Sequence, residues 1–141
     1  MLMKKRKILG MLCALSISVM AGVPVCAANT GDMPLPNKLI GFSYSQAAIT
    51  LERPKSDASS NYVQNTSGFD LWVESRTPSG KNLTVNGHAI VPTAKRRVRN
   101  NIYESGYRSC KLWINTTKSG TTGYLTGCWS PDCAGDYPAA N

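Results

Sequence analysis

The chain has 141 residues, sixteen Lys and Arg against eight Asp and Glu, a formal net charge of +8, five cysteines and a single histidine. That length suits one domain with a modest core, and the basic balance favours anionic surfaces as partners. One histidine and singly scattered acids leave little from which to assemble a nucleophile–base pair or a two-carboxylate site.

The N-terminus opens with the cluster Lys4-Lys5-Arg6-Lys7, followed by a mostly apolar run from Ile8 to Val25 and the small residues around Val25-Cys26-Ala27. Charged, then apolar, then small is the layout of a secretory signal peptide, predicted here as residues 1–27. Gly22 and Pro24 interrupt a run that barely reaches membrane-spanning length, which argues against a retained anchor. Val25 stands before Cys26 where a lipoprotein signal wants Gly, Ala or Ser, so lipidation is not expected. Cleavage after Ala27 leaves 114 residues, and because four basic residues depart while all eight acids stay, the mature charge is +4. An exported protein of this kind rarely meets nucleic acid.

Residues 28–37 carry Gly31, Pro34 and Pro36 without periodicity and read as a flexible lead-in. Short runs rich in β-branched and aromatic residues follow: Lys38–Tyr44, Asn61–Gln64, Gly68–Glu74, Asn82–Val85, His88–Val91, Asn101–Tyr103, Cys110–Ile114 and Gly123–Trp129. Asn86-Gly87 is a hairpin signal, and Pro54–Ser60 and Thr77–Lys81 read as loops. Turn residues recur at about the 8–12 residue spacing of an all-β protein, and no window has capped helical periodicity. The expected fold is a small antiparallel β-sandwich over residues 38–133, with a frayed tail at 134–141.

Three cysteines stay in the mature chain, Cys110, Cys128 and Cys133. An oxidising compartment favours a disulfide over a zinc site, for which ligand doublets are missing, and no Cys-x-x-Cys redox pair is present. With Lys118-Ser119-Gly120 as a three-residue turn, a hairpin places Cys110 opposite Cys128, close enough to bridge. The same register puts Trp113, Leu125 and Trp129 together on the other face. Cys128–Cys133 is the alternative pairing and Cys110–Cys133 a third. Any pairing leaves one thiol, which opens the way to a disulfide-linked dimer.

Tyr107-x-Ser109, Lys111-Leu-Trp-Ile114 and the ending Tyr124-Leu-Thr-Gly-Cys-Trp-Ser-Pro-Asp132 resemble a family of small secreted Gram-positive proteins, the domain-of-unknown-function family numbered 2712. The ending is similar to a Val-Ser-Gly-x-Trp-Ser-Pro-Asp close, and the likeness is clearest over Asn101 to Asp132. The resemblance implies export and a small β-rich fold, and no activity. The cysteines depart from the family pattern, which would make a disulfide particular to this chain.

Lys95, Arg96, Arg97 and Arg99 form the one basic cluster, a candidate patch for anionic cell-wall polymer or a membrane surface, or alternatively a guarded edge strand. His88 reads as an exposed turn histidine. Glu52, Asp57, Asp70, Glu74, Glu104, Asp132 and Asp136 are spread singly. Tyr44, Tyr62, Tyr103, Tyr107 and Tyr124 with Trp72, Trp113 and Trp129 offer either a sugar-stacking platform or half-buried core. No catalytic residue, cofactor or metal is expected. The sequence points to a non-enzymatic extracellular or cell-wall binding module, with a secreted antimicrobial or toxin-like polypeptide as the alternative.

Overall fold

The computed structural model describes residues 28–141, so the expected signal peptide lies outside the described residues. Among the described residues, eleven strands run in chain order: β1 Met33–Pro34, β2 Leu39–Ile40, β3 Ala48–Ile49, β4 Arg53–Pro54, β5 Asn61–Asn65, β6 Leu71–Arg76, β7 Ala89–Val91, β8 Lys95–Val98, β9 Ser109–Thr116, β10 Gly123–Tyr124 and β11 Gly127–Ser130. Every pairing between these strands is antiparallel. One sheet has the order β1-β11-β5-β8, the other β3-β9-β6-β7 with β4 also on β9, and β2 and β10 form a small two-stranded piece. The fold is an all-β antiparallel sandwich.

The two long strands show why. On β9, Cys110, Leu112 and Ile114 are fully buried while Lys111 and Trp113 are half-exposed, the period of two expected of a strand with one face on a core. On β6, Leu71 and Val73 point inward in the same way. These meet Val63, Val98, Leu125 and Trp129 from the other side to form a single core. Asn61 ties the two sheets together from inside, its Nδ2 donating to the Pro131 carbonyl at 2.8 Å and lying 3.6 Å from the Cys110 sulfur.

Strand β11 runs between β1 and β5, and its first residue needs to be glycine. Gly127 has φ +138°, and a Cβ there would stand 2.0 Å from the Gln64 carbonyl oxygen. The missing side chain is what lets the two strands close up at this point.

Several expectations are corrected. The turn before Gly120 forms, with Gly120 at φ +78°, but the strands on either side do not pair with each other. β9 pairs with β6, β3 and β4, whereas the returning chain crosses over and pairs as β11 with β5 and β1. Cys110 therefore faces Arg53 and Cys128 faces Gln64, in different sheets. Asn86-Gly87 makes a turn too, with both φ values positive, yet β7 pairs with β6 rather than with residues 82–85. Asn101–Tyr103 lies in a turn, where the Asn101 carbonyl accepts from the Ser105 N–H, and its buried Ile102 reaches the core from there.

The ends are paired as well. Met33 and Pro34 lie along β11, so the lead-in expected to be flexible is an edge strand, a place where proline is tolerated. The tail expected to fray runs along the outer edge of β8. Its Ala140 N–H donates to Arg97 O at 2.8 Å, and Pro138 O accepts from Arg97 N–H at 2.9 Å. Ala140 itself is buried.

Candidate binding site

Alternation on the second sheet sends Trp72, Glu74 and Arg76 of β6, with Lys111, Trp113 and Asn115 of β9, to its outer face. Register sets Trp72 beside Asn115 and Glu74 beside Trp113. The segment 41–47, which includes a 3-10 turn at Tyr44–Gln46, straps across this face. Asn115 Nδ2 holds the strap by donating to Gly41 O at 3.0 Å and Ser43 O at 2.6 Å. A second tie comes from Tyr44, whose hydroxyl donates to Glu74 Oε1 at 2.8 Å.

Glu74 is the hub of the face. Its side chain is almost wholly buried, and it accepts from Trp72 Nε1 at 3.0 Å and from Arg76 Nε at 2.8 Å in addition to Tyr44. Burial acts to raise its pKa, but these hydrogen bonds and the Arg76 charge outweigh burial and hold it below the ordinary value. The bond to Glu74, followed by burial, raises the Tyr44 phenol. The Arg76 guanidinium carbon sits over Trp113, 4.2 Å from the ring centre, and Tyr44 meets Trp113 edge-on at 6.3 Å. Trp72 is stacked on His88 with ring centres 3.6 Å apart and planes 7° from parallel. Ring after ring is thus fixed in place by a neighbour.

Between the strap and the sheet runs a groove of about 420 Å³, lined by Phe42, Ser43, Tyr44, Trp72, Asn115 and Thr116. Phe42 and Tyr44 are 50% and 57% exposed, unusual for large aromatic side chains. Asn115 is buried, and because its amide nitrogen is committed to two carbonyls, its Oδ1 faces away from them and has no donor. A buried acceptor without a partner is rare, and because Asn115 lines the groove, a ligand donor that reached its Oδ1 would gain a hydrogen bond.

The sequence-predicted site residues fall elsewhere. Lys95 and Arg97 share the outer face of the first sheet with Tyr62 and Gln64, whereas Arg96 pairs with the inward-facing Val63 and leaves on the opposite side. Arg97 is tied down, its Nε donating to the Tyr137 carbonyl, and Arg99 lies past the end of β8. Strand alternation divides the basic run instead of gathering it.

The expected disulfide between Cys110 and Cys128 is absent, and the three cysteines among the described residues are free thiols. Cys110 points into the core, where burial raises its thiol to about 11. Cys128 points outward toward Gln64, 3.5 Å from Oε1, and burial followed by the nearby Asp32 raises its pKa. Cys133 lines a polar cavity of about 240 Å³ together with Asp32, Tyr62 and Lys95. Of the three residues expected together, Trp129 and Leu125 are core but Trp113 is on the outer face. His88 is a half-buried stacking partner, not a free turn residue.

Two features of the groove escaped sequence reading. Phe42 falls inside the run Lys38–Tyr44 read as a strand, and Asn115 lies just past the run Cys110–Ile114. The one available signal was a polar Asn two residues after Trp113, and so on the same face of the strand.

The Trp-Ser-Pro-Asp ending acquires a physical meaning at the opposite end of the molecule. Asp132 is fully buried and pairs with Lys55 Nζ at 2.9 Å, while its other oxygen accepts from the N–H groups of Asn29 (2.7 Å) and Ser56 (2.9 Å). One carboxylate joins the segment before β1, the loop after β4 and the end of β11. A family model described as "Protein of unknown function (DUF2712)" matches residues 23–133, well over half the chain. The chain belongs to this family. The DUF2712 match stops at Cys133, so the tail that covers β8 lies beyond it. No curated protein and no solved structure matches the chain.

Proposed function

We propose that the protein is an exported, non-enzymatic binding module whose ligand sits in the groove framed by Phe42, Tyr44 and Trp72. What supports this reading is the combination found there: two half-exposed aromatic rings, a third backed by His88, and the unpartnered Asn115 Oδ1. A concave, mostly apolar surface with one or two placed polar atoms is the usual form of a ligand site. The neighbouring chemistry speaks against turnover. Glu74 is occupied by three donor side chains and is held ionised, so it is poorly placed to take up or deliver a proton at neutral pH. The ring of His88 lies flat against Trp72 instead of facing a nucleophile. Export rests on the Lys4–Lys7 cluster and the apolar run behind it.

Retention of the purified protein on washed bacterial cells or wall fragments tests the binding role. Phe42→Ala should lower retention, while Lys95→Ala and Arg99→Ala should leave it nearly unchanged. The opposite ranking, with release by salt, would transfer the role to the basic run. Growth inhibition of bacterial strains in a spot test without retention would favour the antimicrobial alternative.

A further inference from the structure

We propose that the ligand of this groove is a neutral saccharide, one ring face lying against the aromatic wall and one hydroxyl donated to Asn115 Oδ1; this rests on the groove being a binding site. Four observations carry the choice.

The aromatic wall is pre-organised. Trp72 is fixed in plane by the His88 stack and in rotation by its Nε1 bond to Glu74, and Tyr44 is pinned by its own bond to the same carboxylate. A wall that does not have to be ordered on binding loses little entropy, which matters most for a small, weakly binding ligand. A pyranose ring has a flat patch of C–H groups on its face and hydroxyls around its rim, matching flat rings with a buried polar atom beside them.

Charge points the same way. The two ionised groups under the groove, Glu74 and Arg76, are paired with each other. A neutral ligand is complementary to that arrangement, whereas a phosphate-rich polymer gains no ion pair there.

Hydrogen bonding disfavours an extended peptide as occupant. A peptide adding to a sheet needs a row of free backbone donors and acceptors. Here the strap already uses them: Thr116 N–H donates to Gly41 O, and Asn115 Nδ2 takes Gly41 O and Ser43 O. Among the residues lining the groove, Asn115 keeps a buried acceptor, Oδ1, without a partner; it is closed off from solvent, and a hydroxyl reaches it through the small side-chain adjustments common on binding.

Size agrees as well. About 420 Å³ lies within the usual range for small-ligand sites, roughly 300–1,000 Å³.

The test is a titration of the intact protein followed by the indole N–H signal of Trp72 in ¹H–¹⁵N spectra. The probes are N-acetylglucosamine oligomers, soluble wall glycan fragments stripped of anionic polymer, polyglycerol phosphate and a short apolar peptide. The expected result is a saturable shift with the neutral glycans only, about three- to tenfold weaker in Phe42→Ala, the scale of one aromatic contact. Phe42→Ala alters an exposed side chain, so an unchanged unfolding midpoint separates lost binding from lost fold. Retention on wall fragments that depends on Phe42, with no response to the neutral glycans, would overturn the saccharide and keep the groove. A response to the peptide or to polyglycerol phosphate alone would do the same. If neither retention nor any titration depends on Phe42, the binding-site reading itself fails.

Discussion

Lys55 Nζ lies 2.9 Å from Asp132 Oδ1, and neither side chain has any solvent exposure. A buried pair survives only if its remaining valences are filled, and here they are. Lys55 also donates to the carbonyls of Ser59 (2.5 Å) and Pro131 (3.0 Å), and Asp132 accepts from two backbone N–H groups. The pair joins segments more than seventy residues apart, which makes it a constraint on which loops meet as much as a source of energy.

Breaking it from one side strands a charge in the core. Asp132→Ala should cost about 3–5 kcal/mol, and Lys55→Met a comparable amount. The double variant Lys55→Met/Asp132→Leu should lose clearly less than the two together. Urea unfolding of the four proteins reads this directly, and additivity within about 0.5 kcal/mol would show the pair to be uncoupled.

Glu74 sets the acid limit of the outer face. Its folded pKa lies below the ordinary 4.5, because the hydrogen bonds from Trp72, Tyr44 and Arg76 outweigh burial. A carboxylate with a lowered folded pKa contributes stability that is present above about 4.5 and is lost as pH falls through the folded value. Glu74→Gln should therefore lower stability near neutrality, by about 1–3 kcal/mol, and flatten the decline below pH 4.5. Melting temperature against pH for the two proteins checks it; parallel curves would mean that Glu74 contributes nothing to the acid limb.

Thiol labelling distinguishes the three cysteines. Cys110 is fully buried with its pKa raised to about 11, so it should resist alkylation at pH 8 until the protein unfolds. Cys128 and Cys133, both partly exposed, should label in the folded protein. For a chain cleaved after Ala27, intact mass should show two labels native and three in denaturant. No native label until reduction would reveal a Cys128–Cys133 bridge, and a double-mass species halved by reduction a linked dimer.

The tail is expected to matter despite lying beyond the family-matched segment. Deleting residues 138–141 removes Ala140 from the core edge along with its backbone bond to Arg97, Pro138's bond from Arg97 and the Ile90 to Asn141 bond. At about 1 kcal/mol net per bond the cost is about 2–4 kcal/mol. It also uncovers the edge of β8, so size-exclusion chromatography should show self-association. A monomer of unchanged stability would mean that the tail is not docked.

The sequence reading succeeded where structure is local. The alternation in β6 and β9 marks strands because a pleated chain with one buried face repeats every two residues, whatever it pairs with. The turns at Gly80 and Gly120 were legible because each needs a positive φ that glycine adopts without strain. Pairing was not legible in the same way. The chain around Gly120 looks like a hairpin until Phe69 and the strands β2 and β5 are in place, and these compete successfully for the returning segment. The basic run failed for a related reason: four charges in five residues look like one patch, but a strand throws neighbours to opposite faces.

By itself, the sequence determined an all-β chain with its turns, its main strands and its family, because backbone preference and alternation act over a few residues. Only the tertiary structure decided which sheet each cysteine enters, that Asp132 meets Lys55, and that Phe42, Trp72 and Asn115 frame one groove. Those outcomes depend on contacts across tens of residues, whose loop-closure cost is met only when all the partners pack at once.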